Sequence, residues 1–140
     1  VMANRRVDIF DNVIGENGTT NIMIVGYRFP FQDAKYDPLP REVSIWDNQH
    51  SRAGWDPKFR GGAEIAAAMG GSFPAIFWDG AGGPEYTPIV QDDVPALSLG
   101  LKDVAADTAT AQPSPLARAT TRPAGLPAIV LPDAMEAVVR

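Results

Sequence analysis

The sequence of 140 residues has no cysteine and one histidine, His50. Without cysteine there is no disulfide, no thiolate nucleophile and no zinc–thiolate centre. A single imidazole leaves a histidine-based metal site short of ligands. No apolar run approaches the about 20 residues of a membrane-spanning helix. The opening stretch VMANRRVDIF lacks the apolar core of a signal peptide. Positive charge is also scarce: 12 Lys and Arg stand against 17 Asp and Glu, a net charge of −5. The basic residues Arg5, Arg6, Arg41, Arg52, Lys58 and Arg60 are scattered rather than clustered. That balance argues against nucleic acid and anionic membranes as partners, since both select grouped Lys and Arg.

Glycine and proline are plentiful, at 13 residues each. Their excess favours short strands and many turns over long helices. The length suits one domain with one core, 1–140. The fold class expected is mainly β: a small sandwich- or barrel-like domain with an N-terminal hairpin, one short helix and extended terminal arms.

Particular stretches carry that expectation. Val7 to Phe29 reads as two strands around Glu16-Asn17-Gly18, where Asn17 and Gly18 supply the positive φ values of a tight hairpin. Pro30, Pro38 and Pro40 mark a loop or edge. Val43 to Asp47 is a short strand, and the polar stretch that follows reads as a surface loop. Ala63 to Met69 are good helix formers stopped by Gly70-Gly71. Pro74 to Asp79 and Tyr86 to Val90 read as strands flanking a Gly-rich turn at Asp79 and Gly80. Val94 to Val104 alternates, with Leu97, Leu99 and Leu101 on one side. Residues 105–127 are rich in Ala, Thr and Pro and read as a linker or extended arm. The run AIVLP after them reads as a last strand, and Asp133 with Glu136 as a capping box.

Each tryptophan precedes an aspartate: Trp46-Asp47, Trp55-Asp56 and Trp78-Asp79. A propeller repeat needs a period of about 40 residues in several copies, and these spacings are irregular. The pairs read instead as strand ends, with the aspartate opening an Asx-type turn before Asn48, Pro57 or Gly80. Asp47, His50, Ser51 and Asp56 lie close in sequence, but no G-x-S-x-G elbow surrounds Ser51, so His50 reads as a solvated loop residue. Gly80 to Gly83 lacks the Lys-Ser/Thr of a phosphate loop and is followed by the acidic Glu85. Asp79, Glu85, Asp92 and Asp93 lack EF-hand spacing. Asn17-Gly18-Thr19 matches a glycosylation acceptor, which the expected turn explains without sugar. No catalytic residue, metal ligand or cofactor is assigned.

The segments AIFWDGAGG, LSLGLKDVAADTAT and LARATTRPAGLPAIVLPDAM, in that order, resemble bacteriophage head-decoration (cement) proteins. The matching positions are Trp78, Asp79 and Gly80, then Gly100, Leu101, Asp103 and Val104, within residues 75–135. The resemblance implies a β-rich, commonly trimeric clasp on the outside of a capsid, with no catalytic residues. The function expected is therefore that of a structural virion protein, assembled in the host cytoplasm, that decorates or stabilises a capsid. Its partners would be other copies of itself and a major capsid or other virion protein. The expected interface anchors are Trp46, Trp55 and Trp78, with Pro113, Pro115, Pro123 and Pro127 along the arm. The alternatives are a small non-catalytic subunit of a larger bacterial enzyme complex, and a small hydrolase or carbohydrate-binding domain.

Overall fold

A computed structural model describes residues 1–29, 33–122, 124–127 and 130. The chain is strand-rich, with one α-helix, and no helix among the described residues is long and apolar enough to cross a membrane. The strands are β1 (Arg5–Phe10), β2 (Val13–Ile14), β3 (Ile22–Ile24), β4 (Arg41–Trp46), β5 (Gln49–His50), β6 (Ile76–Trp78), β7 (Ile89–Val90), β8 (Ala96–Ser98) and β9 (Ser114–Pro115). They form three sheets, ordered β1-β4-β7, β2-β5 and β3-β6-β8-β9. Every strand pair is parallel except β8 with β9.

The expected N-terminal hairpin is not formed. β2 pairs with β5 and β3 with β6, so neither strand beside Asn17-Gly18 turns back on the other. The positive φ falls on Glu16, at 56°, and not on Asn17 or Gly18. Asn17 instead makes a parallel bridge to Ala53. The physical reason is that each strand finds its hydrogen-bond partner one full turn of chain away. The path runs through the first sheet, the second and the third, then returns to the first. The result is a coil of stacked turns.

The register records this winding. The partner offset is 36 residues at Arg5↔Arg41 and stays so through Val13↔Gln49 to Asn17↔Ala53. At Ile22↔Ile76 it has become 54, so 18 residues are inserted into the second turn. The insertion leaves at Gly54 and returns at Phe73, whose N–H donates to the Gly54 carbonyl at 2.9 Å. A Cβ on Gly54, which has φ 81°, would run into the Phe73 carbonyl oxygen, so the neck of the excursion needs glycine. The excursion carries the helix α1 (Gly62–Ala68), close to the Ala63–Met69 expected, and Gly70 and Gly71 end it with φ of 91° and 104°.

Parallel, in-register stacking places like residues on like. Inward side chains form ladders: Val7 on Val43, Ile9 on Ile45 on Val90, Ile22 on Ile76 on Ala96. The first and third sheets face each other across these residues, with Trp78 filling the space beside Ile24. A second core forms on the other side of β6, where Phe73, Phe77, Leu99 and Leu101 pack with Ala66 of α1.

Left-handed residues recur at matched positions of successive turns. Asp11 and Asp47 have φ of 55° and 53°, and Arg6 and Glu42 have 58° and 54°. Asp is among the few side chains that accept this conformation readily, and here it bends the chain from the first sheet into the second.

Described residues within 105–127 bond back to their own coil. β9 pairs with Leu97 and Ser98, Arg118 bridges Val90, and the Ala119 N–H donates to the Val90 carbonyl at 2.7 Å. Further on, the Leu126 N–H donates to Asp8 Oδ2 at 2.8 Å. The strand expected over AIVLP and the capping box at Asp133 and Glu136 lie outside the described residues, apart from exposed Val130.

Candidate functional site

The corner after the first sheet collects polar side chains from three turns. Asn12 and Asn48 occupy equivalent places, and Asn12 Nδ2 donates to Asn48 Oδ1 at 2.9 Å. Asn48 Nδ2 donates in turn to Asp92 Oδ2 at 2.9 Å, and the Asn48 N–H to Asp92 Oδ1 at 3.2 Å. His50 Nε2 lies 2.8 Å from the same Asp92 Oδ2, and the two side chains are 2% and 1% exposed. The other ring nitrogen, Nδ1, lies 3.2 Å from Asn21 Nδ2. A proton on Nε2 and a lone pair on Nδ1 satisfy both contacts.

His50 is therefore not the solvated loop residue expected. It is buried and holds Asp92, a partner 42 residues away that sequence proximity does not reveal. It does not meet a serine: the Ser51 hydroxyl faces Glu16 Oε1 at 3.4 Å. Asn48 and Asn21 also bond to the pair, which ties successive turns together.

Asp79 is used in the same way. Its Oδ2 accepts the Gly26 N–H at 2.7 Å and its Oδ1 accepts the Ala81 N–H at 3.0 Å. It turns the chain at the end of β6 and fastens the first turn to the second. Gly80, at φ 84°, follows; a Cβ there would lie 2.6 Å from the Gly100 nitrogen. Among the described residues no three His, Asp or Glu side chains are placed to hold a metal ion.

The tryptophans separate into two kinds. Trp46 and Trp78 are 1% and 4% exposed, so they are core residues of this chain and offer no surface to a neighbour. That corrects their assignment as interface anchors: the Trp-Asp pattern does not say which side of the strand faces out. Trp46 is stacked on Phe10, centroids 4.8 Å apart and planes at 2°, with the Arg122 guanidinium 5.1 Å from its ring. Trp55 is 41% exposed on the inserted excursion, with Arg52 packed 4.0 Å from its ring centre. Pro113, Pro115 and Pro127 are exposed; Pro123 lies outside the described residues.

A cleft of about 540 Å³ has Met23, Phe59, Phe77 and Leu99 among its lining. Arg28 and Arg60 line it, and neither is ion-paired within the described residues. Asp79 and Asp107 also line it; both Asp79 oxygens accept backbone N–H groups, and Asp107 Oδ1 accepts the Ala109 N–H.

The sequence reading missed the repeat behind this arrangement. Residues 5–12, RRVDIFDN, and 41–48, REVSIWDN, are identical at five of eight positions. Trp46-Asp47 thus repeats Phe10-Asp11, and comparing tryptophans alone hid the match. No family model, curated protein or solved structure matches the chain.

Proposed function

We propose that this chain is a structural, non-catalytic protein that works by protein–protein contact, as a capsid-stabilising or accessory component of a virion. One observation carries the contact reading. His50, Asp79 and Asp92 are committed to the coil's own corners, while Met2, Phe10 and Val13 stand 52%, 48% and 82% exposed along its first turn. Exposed apolar residues gathered on one edge favour association. The two larger sheets facing across one core are taken as the sandwich-like body expected of such a domain. The virion setting rests on the resemblance over 75–135. Because β9, Arg118 and Leu126 bond to their own body, the contact role is assigned to the coil's edge rather than to that strip. Partners in this reading are other copies and a major capsid or other virion protein, with no nucleic acid or membrane involved.

The test is density-gradient fractionation of producing cells, followed by assays of the purified chain on ester and polysaccharide substrates. The reading expects the chain in particle-sized fractions and no turnover. A chain confined to the soluble fraction and turning over a substrate overturns it.

A second reading, a binding domain for a small anion with an apolar body, is favoured by the cleft with its apolar lining residues and two arginines that have no ion pair among the described residues. Saturable binding of an aromatic carboxylate, lost in Arg28→Gln and Arg60→Gln, would support it over the first.

A further inference from the structure

The first and last described turns of the coil are edged differently. At the far end the chain covers its own last turn: β9 lies on β8, the Leu116 N–H donates to the Ala96 carbonyl at 3.0 Å, and Arg118 bridges Val90. At the near end, Met2 bridges Val25 in parallel and the Val25 N–H donates to the Val1 carbonyl at 3.0 Å. The third sheet therefore already carries the start of a further turn there. β1 and β2 have no strand on their outer sides among the described residues.

The near edge nevertheless has the side chains of an interior turn. Phe10 and Trp46 are equivalent and in register, yet Phe10 is 48% exposed and Trp46 1%. Asn48 Oδ1 accepts two bonds from the turn before it, the Asn12 N–H at 3.1 Å and Asn12 Nδ2–H at 2.9 Å. Asn12 Oδ1, at the same place on the first turn, accepts none from the described residues.

We infer that the β1–β2 edge is a docking surface for one more parallel β-turn of the same kind, presented by a partner polypeptide. The partner strand carries apolar residues at alternate positions followed by aromatic–Asp–Asn. Its aromatic ring lies on Phe10, and its asparagine donates through backbone N–H and Nδ2–H to Asn12 Oδ1. A second copy is a poor source of this turn head to tail, because β9 and Arg118 of its own strip already pair with β8 and Val90 at its far edge. The inference rests on the contact reading above and names the surface and the partner's chemistry.

The test uses a fluorescently labelled, end-blocked peptide with the sequence of residues 41–53, titrated against the whole chain and followed by anisotropy. Saturable binding is expected, with about tenfold weaker affinity for Asn12→Ala or for a peptide in which its own asparagine is alanine, as for the loss of one or two hydrogen bonds. Val13→Lys, at a position 82% exposed, leaves the melting temperature unchanged and weakens binding. Three results overturn the inference: no saturable binding, equal binding of a scrambled peptide, or a dimer in sedimentation that Val13→Lys dissociates. If the peptide fails while the chain still sediments with particles, the docking assignment falls and the contact reading stands. Substrate turnover removes the contact reading itself.

Discussion

Asn12 lies directly above Asn48 at the same corner of successive turns, its Nδ2 2.9 Å from Asn48 Oδ1, and Asn48 repeats the gesture toward Asp92. A carboxamide suits such a position because it donates and accepts, so each member can hand a hydrogen bond to the next. Asp92 ends the series as acceptor only, with His50 supplying the last donor.

Asn48→Ala removes the donors to Asp92 Oδ2, the Ile9 carbonyl and the Trp46 carbonyl, and the acceptor for Asn12. The expected loss is about 1–3 kcal/mol, the cost of leaving buried acceptors short of donors. Urea denaturation, with unchanged m-value, checks it. Asn48→Asp should not rescue, since it places two carboxylates together.

Glu42 is held at φ 54° in an exposed position. The left-handed region costs a residue with a Cβ about 1–2 kcal/mol, against about 0.5–1 kcal/mol of extra chain entropy for glycine. Glu42→Gly should therefore raise stability by up to about 1 kcal/mol. Glu42→Val should lower it, and paired thermal melts give both signs.

Trp46→Ala and Trp55→Ala distinguish the two kinds of tryptophan. The first empties a site packed between Phe10 and Arg122 and should cost about 3–5 kcal/mol. The second removes an exposed ring and a cation–π contact, with an expected change within about 1 kcal/mol. Equal losses in chemical denaturation would contradict the burial pattern.

A chain ended after Gln112 loses β9 and the Arg118 and Arg122 contacts. The outer side of β8 and the outer face of Trp46 are then uncovered. Self-association by sedimentation and a rise in bound hydrophobic dye are expected, because an open strand edge with apolar neighbours seeks a partner. An unchanged sedimentation profile and dye signal would show that the strip contributes no cover.

How much of this was legible depended on range. Gly70-Gly71 ending a helix and Asp79-Gly80 making a turn are local effects of φ preference and Asx bonding, and they stand where the sequence placed them. The hairpin at Asn17-Gly18 failed because a local turn signal competes with whatever partner each strand finds later, and here the partner one turn away won. His50 was misplaced for the same reason: its carboxylate is Asp92, not the nearby Asp47 or Asp56. The eight-residue repeat was the available signal for all of this, masked by Phe10 standing where Trp46 stands.

By itself the sequence determined a strand-rich, turn-rich, cysteine-free chain with one short helix, because composition and local dihedral preference act within a few residues. Tertiary structure decided which strands pair, that they pair in parallel, and that Trp46, Trp78 and His50 face inward. Those outcomes depend on hydrogen bonds and apolar stacking across offsets of 36 and 54 residues, which no local preference encodes.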